Sequence, residues 1–137
     1  MINTKILLAE KDVVVATDLA FELEALGLTI SSITSSVESL WQLIGTKKVD
    51  FAILNVNLQD GVSYPAAKRL KALGIPFIFL TSFEKSEIDP EFHDIPRLSK
   101  PQDSRAIAEF VADLVRILTQ ALGADPKEIE ETVAIKD

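Results

Sequence analysis

The sequence predicts an α/β domain on a parallel sheet of five strands with helices on both faces, and three observations carry that prediction. Short β-rich runs alternate with stretches of helical spacing along the chain. Two of the runs, Phe51-Ala52-Ile53-Leu54 and Phe77-Ile78-Phe79-Leu80, are apolar without a break, as a strand covered on both faces must be. Gly27, Gly45, Gly74 and Gly123 each follow a helical stretch, where a left-handed C-cap residue belongs. Right-handed crossovers leave few topologies open for such a chain.

Taken in order, Lys5 to Ala9 is the first apolar run, and Asp12 has the place of an N-cap for a helix striped by Val15, Leu19, Leu23 and Leu26. Leu28 to Thr34 is β-rich. Ser36 can cap a helix carrying Val37, Leu40, Trp41 and Ile44, with Trp41 read as a core residue. After the buried run at Phe51, Gly61 sits in the polar turn Gln59-Asp60-Gly61, and Ser63 can cap a helix with Ala66, Ala67, Leu70 and Leu73 inward. The stretch from Phe83 to Ile95 is short and interrupted by Pro90, so the fourth helix is shortened to a turn or two at most. Pro96 to Ser99 is a brief strand. Ser104 caps a last helix with Ile107, Phe110, Val111, Leu114, Ile117, Leu118 and Ala121 on its apolar side. Residues 1–123 make one domain, and 124–137 form a charged tail containing Pro126, a short acidic helix or a disordered segment.

Composition narrows the function. At 137 residues and 47% apolar the chain holds one domain with a real core. Its 14 basic and 21 acidic residues give a net charge of -7, which repels nucleic-acid phosphates. There is no cysteine, so disulfides and thiolate metal sites are excluded. With no signal-peptide pattern and no apolar stretch of about 18 residues, the expectation is a soluble cytoplasmic protein without membrane contact.

In a doubly wound sheet, ligands bind beyond the carboxyl ends of the strands. The residues there are Glu10, Lys11 and Asp12, then Asn55, Val56 and Asn57, then Thr81 and Ser82, and last Lys100 and Pro101. The segments Ile6 to Asp12, Asp50 to Leu58, Phe79 to Ser82 and Ser99 to Pro101 resemble the bacterial response-regulator receiver domains of two-component and phosphorelay signalling, in order and spacing, from Lys5 to about Leu122. The stretch Gly74 to Thr81 and the shortened fourth helix are most similar to stand-alone receivers of alphaproteobacterial type. The resemblance implies a flavodoxin-like sheet in the order 2-1-3-4-5. It also implies a phosphoacceptor aspartate ending the third strand, two acidic residues holding Mg²⁺, and a Thr/Ser and a Lys contacting the phosphoryl oxygens.

Carried over, Thr81, Lys100 and Glu10 match, and Asn57 matches the position whose backbone carbonyl helps hold the metal. Asn55 stands at the acceptor position and Lys11 at the second acidic one, and Arg97 stands where many members have an aromatic switch residue. A neutral amide lacks the charge and nucleophilicity of a carboxylate. Glu10 against Lys11 and Lys100 leaves a local sum of about one positive charge, where Mg²⁺ needs anionic oxygen ligands. The expectation is a degenerate pocket without Mg²⁺ or any other cofactor, with Lys11 near the vacated metal position, paired with Glu10 or bonded to the Asn55 carbonyl.

An enzyme is not expected. His93 is the lone histidine, in a polar loop, and no glycine-rich phosphate loop or metal-ligand cluster appears. The expected function is a phosphorylation-independent pseudo-receiver acting by protein–protein interaction with a histidine kinase, a phosphotransfer protein, another regulator, or itself as a homodimer. The alternatives are a receiver using another acceptor, Asp12 or Asp60, and a sensor of a small ligand. Val115, Leu118 and Leu122 form a second apolar stripe on the last helix, expected as an interaction face unless Ile129, Val133 and Ile135 of the tail cover it.

Overall fold

The computed structural model describes residues 4–100 and 103–120. Strand β1 (Lys5–Ala9) leads to helix α1 (Val13–Ala25), β2 (Thr29–Thr34), α2 (Val37–Thr46), β3 (Phe51–Asn55), α3 (Tyr64–Ala72), β4 (Phe77–Thr81), β5 (Arg97–Ser99) and α4 (Ser104–Gln120). The five strands form one parallel sheet in the order β2-β1-β3-β4-β5, as expected. Between β3 and α3, Asn57–Leu58 pairs antiparallel with Gly61–Val62 in a small hairpin.

Period-two alternation sends strand side chains to two separate cores. Ile6, Leu8, Phe51, Ile53, Ile78 and Leu80 meet α1 and α4 on one side. Leu7, Ala9, Ala52, Leu54, Phe77 and Phe79 meet α2 and α3 on the other. Every residue of β3 and β4 is buried, which explains their unbroken apolar runs. Helices α1 and α3 end as their glycines require. Gly27 has φ +90° and Gly74 φ +72°, and in each case the next amide returns to a carbonyl one turn back: Leu28 N to Leu23 O at 3.2 Å, and Ile75 N to Leu70 O at 3.0 Å. Gly45 departs from that pattern, lying inside α2 with no positive φ.

The fourth helix is reduced, as expected, to two 3-10 turns, Lys85–Glu87 and Pro90–Phe92. Burial of Ile88 and Phe92 anchors them. Phe92 stacks on Tyr64 at 5.3 Å and meets Phe79 edge-on at 5.7 Å, so aromatic contacts replace a helical face. The ring nitrogen Nε2 of His93 donates to the Ile88 carbonyl at 2.8 Å, which makes the single histidine part of this turn.

Several local expectations are corrected. Trp41 is 46% exposed instead of in the core, because Leu40 and Ile44 already fill the inward face of α2. Leu73 is exposed, being the C-cap residue past the last inward turn of α3. Asp103, not Ser104, precedes α4, and its carboxylate accepts from Arg105 N at 3.2 Å. The proposed stripe on α4 does not form an open row. Val115 is 3% exposed within the core shared with α1, and Leu118 packs half-buried against the same core. The helix therefore buries a wider arc than its first half required, and Val115 is not accessible to a partner. Leu122, Gly123 and the tail with Ile129, Val133 and Ile135 lie outside the described residues, as does Pro101.

Candidate phosphoacceptor pocket

Strand register brings the chemistry to one edge. Ala9 pairs with Leu54, Asn55 with Leu80, and Thr81 with Ser99, so Glu10, Asn55, Thr81 and Lys100 all come at the carboxyl end of the sheet.

Glu10 is 2% exposed and is the centre of the pocket. Its Oε1 accepts from Lys100 Nζ at 2.6 Å. Its Oε2 accepts from the Asp12 amide at 2.8 Å and from Asn55 Nδ2 at 3.3 Å. Both carboxylate oxygens are thus engaged, and the counter-ion is Lys100, with 25% of its side chain exposed. Lys11 is exposed, and neither Glu10 nor Asn55 is bonded to it, which corrects the expected placement. The reason is direction: Lys11 stands in the turn between β1 and α1, while the register of β5 delivers Lys100 directly above Glu10. Asn55, 8% exposed, donates through its amide where a carboxylate could only have repelled Glu10.

The buried hydroxyl of Ser63 donates to the Asn55 carbonyl at 2.9 Å and makes no side-chain cap on α3. This corrects the expected cap and adds a residue to the pocket. A serine at a helix start gives no sequence signal for such a role. Thr81, 1% exposed, accepts from the Phe83 amide at 3.0 Å. Arg97 donates from Nη1 to the Phe83 carbonyl at 3.1 Å and to Ser99 Oγ at 2.8 Å. Residue 83 is therefore gripped at its N–H by Thr81 and at its C=O by Arg97. Asn57 is half-buried at the base of the small hairpin, opposite Val62. A cavity of about 170 Å³ opens beside Glu10, lined by Val13, Thr17 and Ile33 among others, below the roughly 300–1,000 Å³ of ordinary ligand sites.

The two alternative acceptors are occupied as helix caps. Asp12 accepts from Val14 N at 2.9 Å and Val15 N at 3.4 Å, the expected N-cap of α1. Ser36 caps α2 as expected, accepting from Ser39 N at 3.1 Å. Asp60 joins it from the hairpin: Oδ1 accepts from Val37 N at 2.6 Å and Oδ2 from Glu38 N at 3.2 Å. The Val37 amide in particular holds the Asp60 carboxyl below its ordinary range. A depressed folded-state pKa contributes stability above the unfolded value and loses it as pH falls through the folded one. Asp60→Asn is accordingly expected to unfold at lower urea than the wild type at pH 7, the gap closing as pH falls below about 4. A gap that stayed constant with pH would contradict the charged cap.

No protein-family model and no curated protein matches this chain. Solved structures do. SdrG from Sphingomonas melonis Fr1 is 34% identical over 80% of this chain and 95% of its own, with a TM-score of 0.68. The chain belongs to the response-regulator receiver domains. A BeF₃-activated conformation of SdrG matches with the same TM-score of 0.68, at 34% identity over 83% of this chain and 98% of that one. A CheY-like receiver domain from Methylobacillus flagellatus, 21% identical over 82% of this chain and 98% of its own, shares the fold at a TM-score of 0.68. The anti-anti-sigma factor PhyR from Bartonella quintana matches at 19% identity and a TM-score of 0.69, over 88% of this chain and 51% of the longer PhyR chain. Among the described residues of this receiver, no helix is long and apolar enough to cross a membrane.

Proposed function

We propose that this receiver works without phosphorylation, as a module that binds a signalling protein, its pocket held in one state by its own side chains. The observation that carries the reading is the Glu10–Lys100 pair at 2.6 Å, completed by the Asn55 amide. Asn55 offers no anionic oxygen to attack phosphorus. Lys100, the cation that the family directs to phosphoryl oxygens, is spent on Glu10. Mg²⁺ fits the donor set poorly: Glu10 would have to release Lys100, and Asn55 and Lys11 supply no further carboxylate. Asp12 and Asp60 hold helix N-termini, which argues against either as a substitute acceptor. The grip of Arg97 on the Phe83 carbonyl needs no phosphoryl group to form. A histidine kinase, a phosphotransfer protein or another regulator is the class of partner such a module serves, and the cytoplasm is where these meet it.

The test is exposure to acetyl phosphate with Mg²⁺, and separately to beryllofluoride. Neither is expected to act: intact mass gains no phosphoryl increment, and amide NMR resonances around Asn55 and Thr81 do not shift. An acyl phosphate at any residue would overturn the proposal.

A further inference from the structure

Helix α1 holds three large apolar side chains in the open: Val13, Val14 and Phe21 are each 69% exposed. Val14, Thr17 and Phe21 follow the i, i+3, i+7 spacing of one stripe. The charged residues within this helix, Asp18, Glu22 and Glu24, are all acidic. The other side of the sheet has the opposite character. Trp41 on α2 lies under the Arg69 guanidinium of α3, 4.4 Å from the ring centroid, and Arg69 Nη1 donates to the Trp41 carbonyl at 2.7 Å. Gly45 makes this possible, since a Cβ there would stand 2.7 Å from Arg69 Nη2. Leu73, one turn beyond Arg69, is 55% exposed, and Lys47 and Lys48 are exposed where α2 ends. The charged residues within α3, Lys68, Arg69 and Lys71, are all basic. Lys68 and Lys71 already pair with Glu91 and Asp94, each at 3.4 Å, and Glu38 is exposed one turn before Trp41, so Lys47, Lys48 and Arg69 against Glu38 leave the patch basic by about two charges.

A chain of net charge -7 thus carries a basic aromatic patch on one side and an acidic apolar stripe on the other. We infer that the α1 face of one copy docks on the α2–α3 face of a second copy, head to tail. Phe21 meets Trp41 and Leu73, and Asp18 and Glu24 meet Lys47, Lys48 and Arg69. Aromatic and arginine side chains of this kind anchor interfaces. A twofold contact of either face with itself would bring like charges together. Since the two faces differ and lie on opposite sides of the sheet, the contact is heterologous, and assembly grows with concentration instead of closing as a dimer. The inference deepens the reading of the chain as a binding module, yet it fails separately. Labelling by acetyl phosphate would overturn that reading and leave this contact standing.

Sedimentation velocity of the full chain tests it. The weight-average coefficient is expected to rise with protein concentration at about 0.1 M salt. It should fall back toward the monomer at about 1 M, where screening shortens from about 10 to about 3 Å. Phe21→Glu and Trp41→Glu should each sediment as monomers with circular dichroism unchanged, both positions being exposed. Their equimolar mixture should form a dimer and nothing larger, because one variant keeps the basic patch and the other keeps the α1 stripe. Asp18→Lys and Lys48→Glu give the same pattern by charge alone, should Trp41→Glu disturb α2. A wild-type monomer at every concentration, or a mixture that stays monomeric, would overturn the contact.

Discussion

Lys100→Ala is expected to destabilise the domain by about 2–4 kcal/mol, a large share of the roughly 5–15 kcal/mol of a typical domain. The substitution leaves the Glu10 carboxylate, its side chain 1% exposed, without its counter-ion. Breaking a fully buried pair costs about 3–5 kcal/mol, and two features lower the figure here. Lys100 keeps 25% of its side chain in solvent, and Glu10 retains bonds from the Asp12 amide and Asn55 Nδ2. Urea unfolding at neutral pH reads the change as a lower midpoint at constant slope. Glu10→Gln combined with Lys100→Met should recover most of the loss, since the amide still accepts from Asp12 and no charge remains buried. A single substitution costing under about 1 kcal/mol would mean that the pair does not organise the pocket.

Lys11→Asp combined with Asn55→Asp should turn the chain into a Mg²⁺-binding, phosphoryl-accepting receiver. The local sum passes from about plus one to about minus two, counting Glu10 and Lys100 with the two changed positions. At about 4 Å each unit of charge is worth on the order of 4 kcal/mol near a protein surface, enough to move a millimolar-or-weaker metal site well into the measurable range. Asn55→Asp alone is not expected to suffice. With Lys11 and Lys100 both still in place, the local sum then reaches only about zero, and a single added carboxylate leaves Mg²⁺ short of anionic oxygen ligands. Lys11 is exposed, so its replacement disturbs no packing. Calorimetry with Mg²⁺ alone should show saturable binding below about 1 mM for the double variant and none for the wild type, and acetyl phosphate should then add a phosphoryl group at position 55. A double variant that folds but still ignores Mg²⁺ would show that something other than charge closes the pocket.

The fold and four of the residues that meet at the pocket were legible because both rest on short-range signals, whereas Lys11 was expected there and is not, and Ser63 was missed. Unbroken apolar runs mark strands buried on two faces, glycines mark helix ends, and in a parallel sheet the residue after each strand arrives at the same edge. Glu10, Asn55, Thr81 and Lys100 were found in that way, and so was the reduced fourth helix, from Pro90. Where the expectation failed, the deciding contact was distant in sequence or lay in the width of a helix's buried arc. Trp41 sits at helical spacing with Leu40 and Ile44, yet Arg69 from another helix holds it at the surface. Val115 looked like the start of a second stripe, and the packing of α4 on α1 turned it inward.

The sequence by itself determined the chemistry of this receiver. Asn55 stands where the resemblance places the acceptor carboxylate and Lys11 where it places an acidic metal ligand, and no arrangement of the backbone gives the Asn55 amide the nucleophilicity of a carboxylate. Only the tertiary structure decided how that chemistry is satisfied. It paired Glu10 with Lys100, 90 residues away, instead of with the adjacent Lys11. It turned Ser63 from a helix cap to the Asn55 carbonyl, and carried Asp60 across 23 residues to the start of α2. The physical reasons differ. Asp60 is exposed and meets helix N–H groups that have no partner within α2, whereas Glu10 and Ser63 answer to burial. A buried polar group must find a partner, and which one it finds depends on the register of the sheet and the placement of turns, which bring distant residues closer than neighbours in the chain.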